Sequence, residues 1–302
     1  MKTLSPISFI YINDRKKMLK KANTHSILTA IATIIAIYLP MPAQAVDLPS
    51  NSVLISTGID FSSGKYGAEE TTDMLYIPLT FKYATDQWSS GITIPYISLE
   101  SSGDVVIGPD GRPVPIPGGG STSESGLGDI TASFTWFAYP GTETLPIVDV
   151  TGRVKLPTAD EDKGLGTGEF DWALETDLIK GLDRHSLFFT VGYKIFGDTD
   201  TVKINNVFYG SIGDSYRYNK TTSFGAFYDI REATTEFTEG MSELTGFISH
   251  RMNPKWKVMG YLVKGFSDGS PDIGAGVLFS RDTGFAEIGR IIPSLRRDIF
   301  SF

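Results

Sequence analysis

In the stretch LPIVDVTGRVKLP (145–157), neighbouring residues alternate between two chemical classes. Val148, Val150, Val154 and Leu156 share one face, interrupted only by Gly152, while Asp149, Thr151, Arg153 and Lys155 share the other. A period of two belongs to an extended strand, because successive side chains point to opposite sides of the pleat. Three ionised side chains on one face of a single strand, set against a wholly apolar face, leave two architectures. In a soluble sandwich the apolar face meets a second sheet and the charges meet bulk water. In a transmembrane barrel the apolar face meets acyl chains and the charges line a wet interior.

The same pattern recurs along the chain in segments of roughly ten residues separated by Gly, Asp, Ser, Thr and Pro, the signature of membrane-crossing strands. SVLISTGIDF (52–61) groups Val53, Ile55, Ile59 and Phe61, and MLYIPLTFKYA (74–84) groups Leu75, Ile77, Leu79, Phe81 and Tyr83 opposite Thr80 and Lys82. WSSGITIPYISL (88–99) and GDITASFTWFAY (128–139) continue the series. EFDWALETDLIKG (169–181) sets Phe170, Trp172, Leu174 and Leu178 against Asp171, Glu175 and Asp177, and HSLFFTVGYKIFG (185–197) sets Leu187, Phe189, Val191, Tyr193 and Ile195 against Thr190 and Lys194.

Connection lengths decide between the architectures. Outer-membrane barrels have an even number of antiparallel strands, short turns on the periplasmic side and longer loops outside. Splitting 207–218 from 222–231 at a turn over 219–221 gives twelve strands. Long connections then fall on one side (62–73, 100–125, 158–168, 198–206, 232–240, 267–271) and short ones on the other (85–87, 140–145, 182–184, 219–221, 253–254). The longest, 100–125, is rich in Gly and Pro and reads as an outside loop that is neither strand nor helix; its Pro113, Pro115 and Pro117 suggest a stiff run able to fold inward. Tyr83, Trp88 and Trp256 sit beside short turns and Trp172 and Tyr193 beside long loops, as two membrane interfaces would select.

At the N-terminus, Lys20 and Lys21 precede the apolar run SILTAIATIIAIYLP and small residues at Ala43 and Ala45, which reads as a secretory signal cleaved after Ala45, with Met18 an alternative start to Met1. The expected organisation is a signal segment with an upstream extension over 1–45, a barrel over 46–285 and a tail over 286–302, with Phe285 and Phe302 both candidates for a closing aromatic. Residues 1–45 carry six Lys/Arg and one Asp, so the remaining 257 residues hold 21 basic and 34 acidic side chains, net −13. That balance argues against nucleic acid as a partner. With no cysteine there is no disulfide, thiolate nucleophile or cysteine metal site. No oligomeric state follows from the sequence.

The motifs SGLGDITASFTWF (126–137), GRVKLPTADEDKGLGTGEFDWALETDL (152–178) and GFSDGSPDIGAGVLF (265–279) resemble the outer-membrane β-barrel family described as "MetA-pathway of phenol degradation". The resemblance extends over about 52–280 and implies a barrel in the Gram-negative outer membrane, found with aromatic-compound catabolism.

Parity places Asp60, Lys82, Asp129, Asp149, Arg153, Lys155, Asp171, Glu175, Lys194 and Glu243 inward. The candidate solute-contacting set is Asp129, Asp149, Arg153, Lys155, Asp171, Glu175 and Lys194. A hairpin through 158–168 that pairs Lys155 with Asp171 also sets Thr151 opposite Glu175 and leaves Arg153 within diagonal reach of either acid. Such charges can form a constriction that orients a small solute; they can equally be a ladder of ion pairs that fills and stiffens the interior. His185 and His250 have no evident partners for a Ser-His arrangement, which needs a positioned base in a dry pocket. GLGTGEF (164–170) has spaced glycines without a following helix and reads as a turn, and Asp160, Glu161 and Asp162 read as a solvated acidic loop. The sequence therefore supports an all-β, antiparallel barrel of about twelve strands, with lipid and a small solute as partners, no cofactor, no metal and no catalytic residues. It passes or binds that solute, aromatic compounds included, by passive diffusion; the alternative is a non-transporting surface barrel whose lumen is scaffold and whose outside loops bind.

Overall fold

A computed structural model describes residues 52–282, except 104, 109–110, 116–120, 198–203 and 236–237. The expected signal segment and the tail beyond 282 lie outside the described residues. The alternating segments form strands β1 (Ser52–Gly64), β2 (Thr72–Ala84), β3 (Trp88–Ser101), β4 (Val105–Ile107), β5 (Pro113–Pro115), β6 (Thr122–Leu127), β7 (Ile130–Tyr139), β8 (Ile147–Leu156), β9 (Asp171–Leu182), β10 (His185–Ile195), β11 (Val207–Arg217), β12 (Thr222–Arg231), β13 (Met241–Arg251), β14 (Trp256–Gly265) and β15 (Ile273–Asp282). Each wall strand pairs antiparallel with its sequence neighbour, and β1 pairs with both β2 and β15, so the sheet closes. β6 and β7 together form one wall strand broken at Gly128–Asp129: β3 pairs with β6 above the break and with β7 below it. The wall is thus twelve strands, with long and short connections on the sides that the sequence indicates.

The long connection 100–125 differs from its expected form. It contains the hairpin β4–β5, with Val105 facing Pro115 and Ile107 facing Pro113, and its end is the wall strand β6. Proline is tolerated there because β4–β5 is a separate two-stranded ribbon rather than part of the wall. Val105 and Ile107 are buried with Leu165 of the neighbouring loop, and the Ile107 amide donates to the Gly164 carbonyl at 2.7 Å. Gly164 ends a short 3-10 turn (Glu161–Lys163) in the left-handed region, φ 66°, as turn chemistry in GLGTGEF requires. Asp160 of this loop is half exposed and lies 3.9 Å from Lys163.

Side-chain direction follows parity throughout. Asp149, Thr151, Arg153 and Lys155 are buried inside, and the apolar partners on other strands face out: Leu174 is 61% exposed and Leu262 65%. Those exposed Leu, Ile, Phe and Trp side chains form a continuous apolar coat that only a hydrocarbon solvent would favour. A depression of about 1070 Å³ lined by Ile59, Phe61, Ile248, Leu262 and Val277 opens on this coat and has no charged lining residue.

Charge on the outer face should therefore cost stability according to depth. Leu174→Arg is expected to lose about 2–4 kcal/mol, whereas Leu182→Arg, beside the 183–184 turn, loses about 0–1 kcal/mol. Denaturant unfolding in lipid vesicles measures both.

Candidate functional site

The inward faces of β8 and β9 are brought together by the register expected from the sequence: Lys155 stands opposite Asp171 and Thr151 opposite Glu175. Lys155 Nζ lies 2.6 Å from Asp171 Oδ2 and 3.0 Å from Asp129 Oδ2, and donates to Thr167 Oγ1 at 2.9 Å. Both acids also hold loops. Asp129 Oδ1 accepts the amides of Thr158 and Ala159 at 2.9 Å each, and Asp171 Oδ1 accepts the Gly197 amide at 2.9 Å. This outer cluster ties the loop 157–170 and the backbone at Gly197 to the rim.

One step deeper, Arg153 Nη2 donates to Glu175 Oε1 at 3.1 Å, so of the two acids within diagonal reach it takes Glu175. Glu175 Oε2 accepts the Tyr209 hydroxyl at 2.8 Å, and Lys194 Nζ lies 5.1 Å from the centre of the Tyr209 ring. Tyr209 reaches Glu175 by lying across Gly192 of the intervening strand; a Cβ at 192 would sit 2.3 Å from the ring. The same device recurs on the opposite wall, where Tyr261 lies across Gly276 and donates to Asp60. Asp149 is buried in a separate place near the periplasmic side, opposite Asp177, which accepts the Thr190 hydroxyl at 2.7 Å. The seven candidate residues therefore fall into an outer clamp (Asp129, Lys155, Asp171), a middle layer (Arg153, Glu175, Lys194) and Asp149, which lies nearer the periplasmic side.

Sequence parity missed a loop residue that is turned into the interior. Arg112, from the loop between β4 and β5, reaches Glu243 on β13: Nη1 to Oε1 is 2.8 Å and Nη2 to Oε2 is 3.1 Å, a two-pronged contact. Burial works against its charge, but Glu243, Asp60 and Asp229 outweigh it and hold the guanidinium above its ordinary range. Tyr66, on the loop 65–71, is also turned inward and donates to Ser62 Oγ at 2.9 Å; burial pushes its phenol up, so it stays protonated. Loops carry no periodicity that would reveal either residue, although the proline-flanked GRPVP hinted at an inward fold.

Below the charged layers an apolar belt fills the wall's inner face. Phe188, Phe227 and Phe247 follow one another with ring centres 6.0 and 6.1 Å apart, joined by Met259, Leu278, Ile147 and Ile179. The histidines lie elsewhere. His185 has an acid partner that the sequence did not reveal, Asp214 at 2.6 Å, but both are substantially exposed at the periplasmic rim, and His250 bonds Thr222 Oγ1 at 2.9 Å on the outer face. Neither sits in a dry pocket.

The sequence model of a family described as "Putative MetA-pathway of phenol degradation" matches residues 48–280. The chain belongs to this family. Its fold is similar to that of the COG4313 outer membrane channel from Pseudomonas putida F1, at a TM-score of 0.57 and 15% identity, over 82% of this chain and 100% of that one. It also aligns with the P. putida toluene transporter TodX (TM-score 0.39, 8% identity, 81% and 92% coverage) and the Ralstonia pickettii toluene transporter TbuX (0.44, 11%, 77% and 89%). No curated protein sequence matches the chain. The protein is an outer-membrane β-barrel, crossing the bilayer with strands.

Breaking the Arg153–Glu175 pair leaves a buried charge uncompensated. Arg153→Met is expected to destabilise the barrel by about 3–5 kcal/mol. Adding Glu175→Gln should recover most of that loss in the same denaturant titration.

Proposed function

We propose that this barrel is a passive outer-membrane channel for a small solute, aromatic compounds included, and that Asp129, Asp149, Arg153, Lys155, Asp171, Glu175 and Lys194 belong to the wall of its path. The observation that carries this reading is the Arg112–Glu243 contact. A wall needs no crossbar, since its strands already bond to one another. A loop arginine that ends on a carboxylate of β13, several strands round the wall from the β3 and β6 strands that carry its loop, instead narrows a passage, as charged constrictions do in pores. Family membership and the channel fold of the P. putida F1 protein support the same reading. No catalytic residue is assigned: among the described residues, the one histidine bonded to an acid is at the rim and open to solvent, and a nucleophile–base pair requires a positioned, water-excluding site.

A second reading, a non-transporting surface barrel, is favoured by the outer clamp, because Lys155, Asp129 and Asp171 are saturated by one another and by loop backbone. Ion conductance separates the two. Purified protein in planar bilayers should pass current, and Arg112→Gln or Glu243→Gln should raise the single-channel conductance by removing the crossbar. The exchanged pair Arg112→Glu with Glu243→Arg should bring it back down. Silence from the wild type and from every variant supports the scaffold.

A further inference from the structure

At the periplasmic end of the interior, two cations stand side by side with no ion-pair partner among the described residues. Arg251 on β13 and Lys257 on β14 are direct cross-strand partners. Lys257 is 5% exposed, shares the inward parity of Met259 and Tyr261, and its Nζ makes no hydrogen bond; Arg251 Nη2 is likewise buried and unbonded. Register sets Asp282 of β15 diagonal to Lys257, but the ammonium does not bond it. Next to them, Ser223 and Ser249 face one another across β12 and β13, and both buried hydroxyl oxygens are also unbonded. Like charges directly opposite on a sheet destabilise it, and each buried donor without an acceptor adds a desolvation cost. Two cations and two hydroxyls that face inward on three adjacent strands, each with a buried polar atom left unbonded, match an anion with several oxygens.

The surroundings narrow the anion. Towards the middle of the barrel, Met259 comes next above Lys257, and Phe247 follows Ser249 above Arg251; both belong to the apolar belt. A ligand that satisfies both halves has a flat apolar body and one carboxylate. We infer that Arg251, Lys257, Ser223 and Ser249, with Phe247 and Met259, form a binding site for a monoaromatic carboxylate. The carboxylate bridges the guanidinium and ammonium while the ring lies against the belt. Nothing in the outer clamp offers this combination, because its lysine is already held by two acids. The inference rests on the channel reading and adds to it a solute class and a place.

The test uses the full-length barrel in detergent micelles, with sodium benzoate, phenol, sodium acetate and sodium phosphate as probes in calorimetric titration. Benzoate should bind, phenol and acetate should bind more weakly by at least about tenfold, since each lacks one half of the recognition, and phosphate should not compete. Lys257→Met and Arg251→Gln should each weaken benzoate by about tenfold or more while leaving phenol unchanged. Both variants should retain heat-shifted gel mobility, and Lys257→Met should unfold at equal or higher denaturant concentration, because it removes a like-charge contact. Unaltered benzoate affinity in both folded variants, or equal binding of acetate and benzoate, overturns the site. Should Lys257→Met not fold, Arg251→Gln with the acetate and phenol arms decides it. Benzoate failing to bind while the wild type still conducts ions sinks this inference alone; absence of conductance sinks the channel reading itself.

Discussion

Hydrocarbon offers no hydrogen bonds, so every backbone N–H and C=O of a strand that crosses it must be paired by another strand. The pairing of β1 with β15, from Leu54 opposite Asp282 to Ser63 opposite Ile273, is what meets this requirement, because without it two long edges would face lipid. Once the sheet is closed, the period of two acquires a single meaning. One set of side chains belongs to the bilayer and the other to an enclosed interior, and no third environment exists for them.

The interior is then a packing problem with two solutions at different depths. Towards the outside, ion pairs and inward-turned loops fill the space: Lys155 between two acids, Arg153 on Glu175, and Arg112 across to Glu243. Towards the periplasm, phenylalanines and Met259 take over. Tyr209 and Tyr261 connect the two regimes, each laid over a glycine on the adjacent strand so that a bulky ring can run along the wall and still place its hydroxyl on a carboxylate. An interior in which an apolar belt lies between charged groups suits a solute that is itself part polar and part apolar.

How much of this the chain announced depends on which regularity governs each part. Parity was sufficient for the wall. Asp149, Arg153, Lys155, Asp171, Glu175 and Lys194 face inward because a one-residue slip would put every one of them into lipid. The register of Lys155 on Asp171 was equally legible, since the 158–168 hairpin and that same constraint leave few alternatives. Arg112 and Tyr66 were hidden because a loop has no period, and β4–β5 because short proline-bearing ribbons do not resemble membrane strands. Arg251 and Lys257 flank the short 253–254 turn that the sequence did indicate, whereas the tyrosine–glycine contacts depend on register between strands far from any charge-matched hairpin, which local patterning does not specify. His185 found Asp214 for the same reason, through strand pairing of β10 with β11.

The central claim is that lipid covers one face of each strand and an enclosed, water-accessible space meets the other. The absence of native cysteine makes it directly measurable. Single cysteines placed in turn at Val148, Asp149, Val150, Thr151 and Val154, spin-labelled in lipid vesicles, report accessibility to oxygen and to a water-soluble nickel chelate. The account predicts high oxygen accessibility at 148, 150 and 154 and low at 149 and 151. Alternation of opposite phase, or nickel accessibility at 150 and 154 equal to that of a free surface, would contradict it.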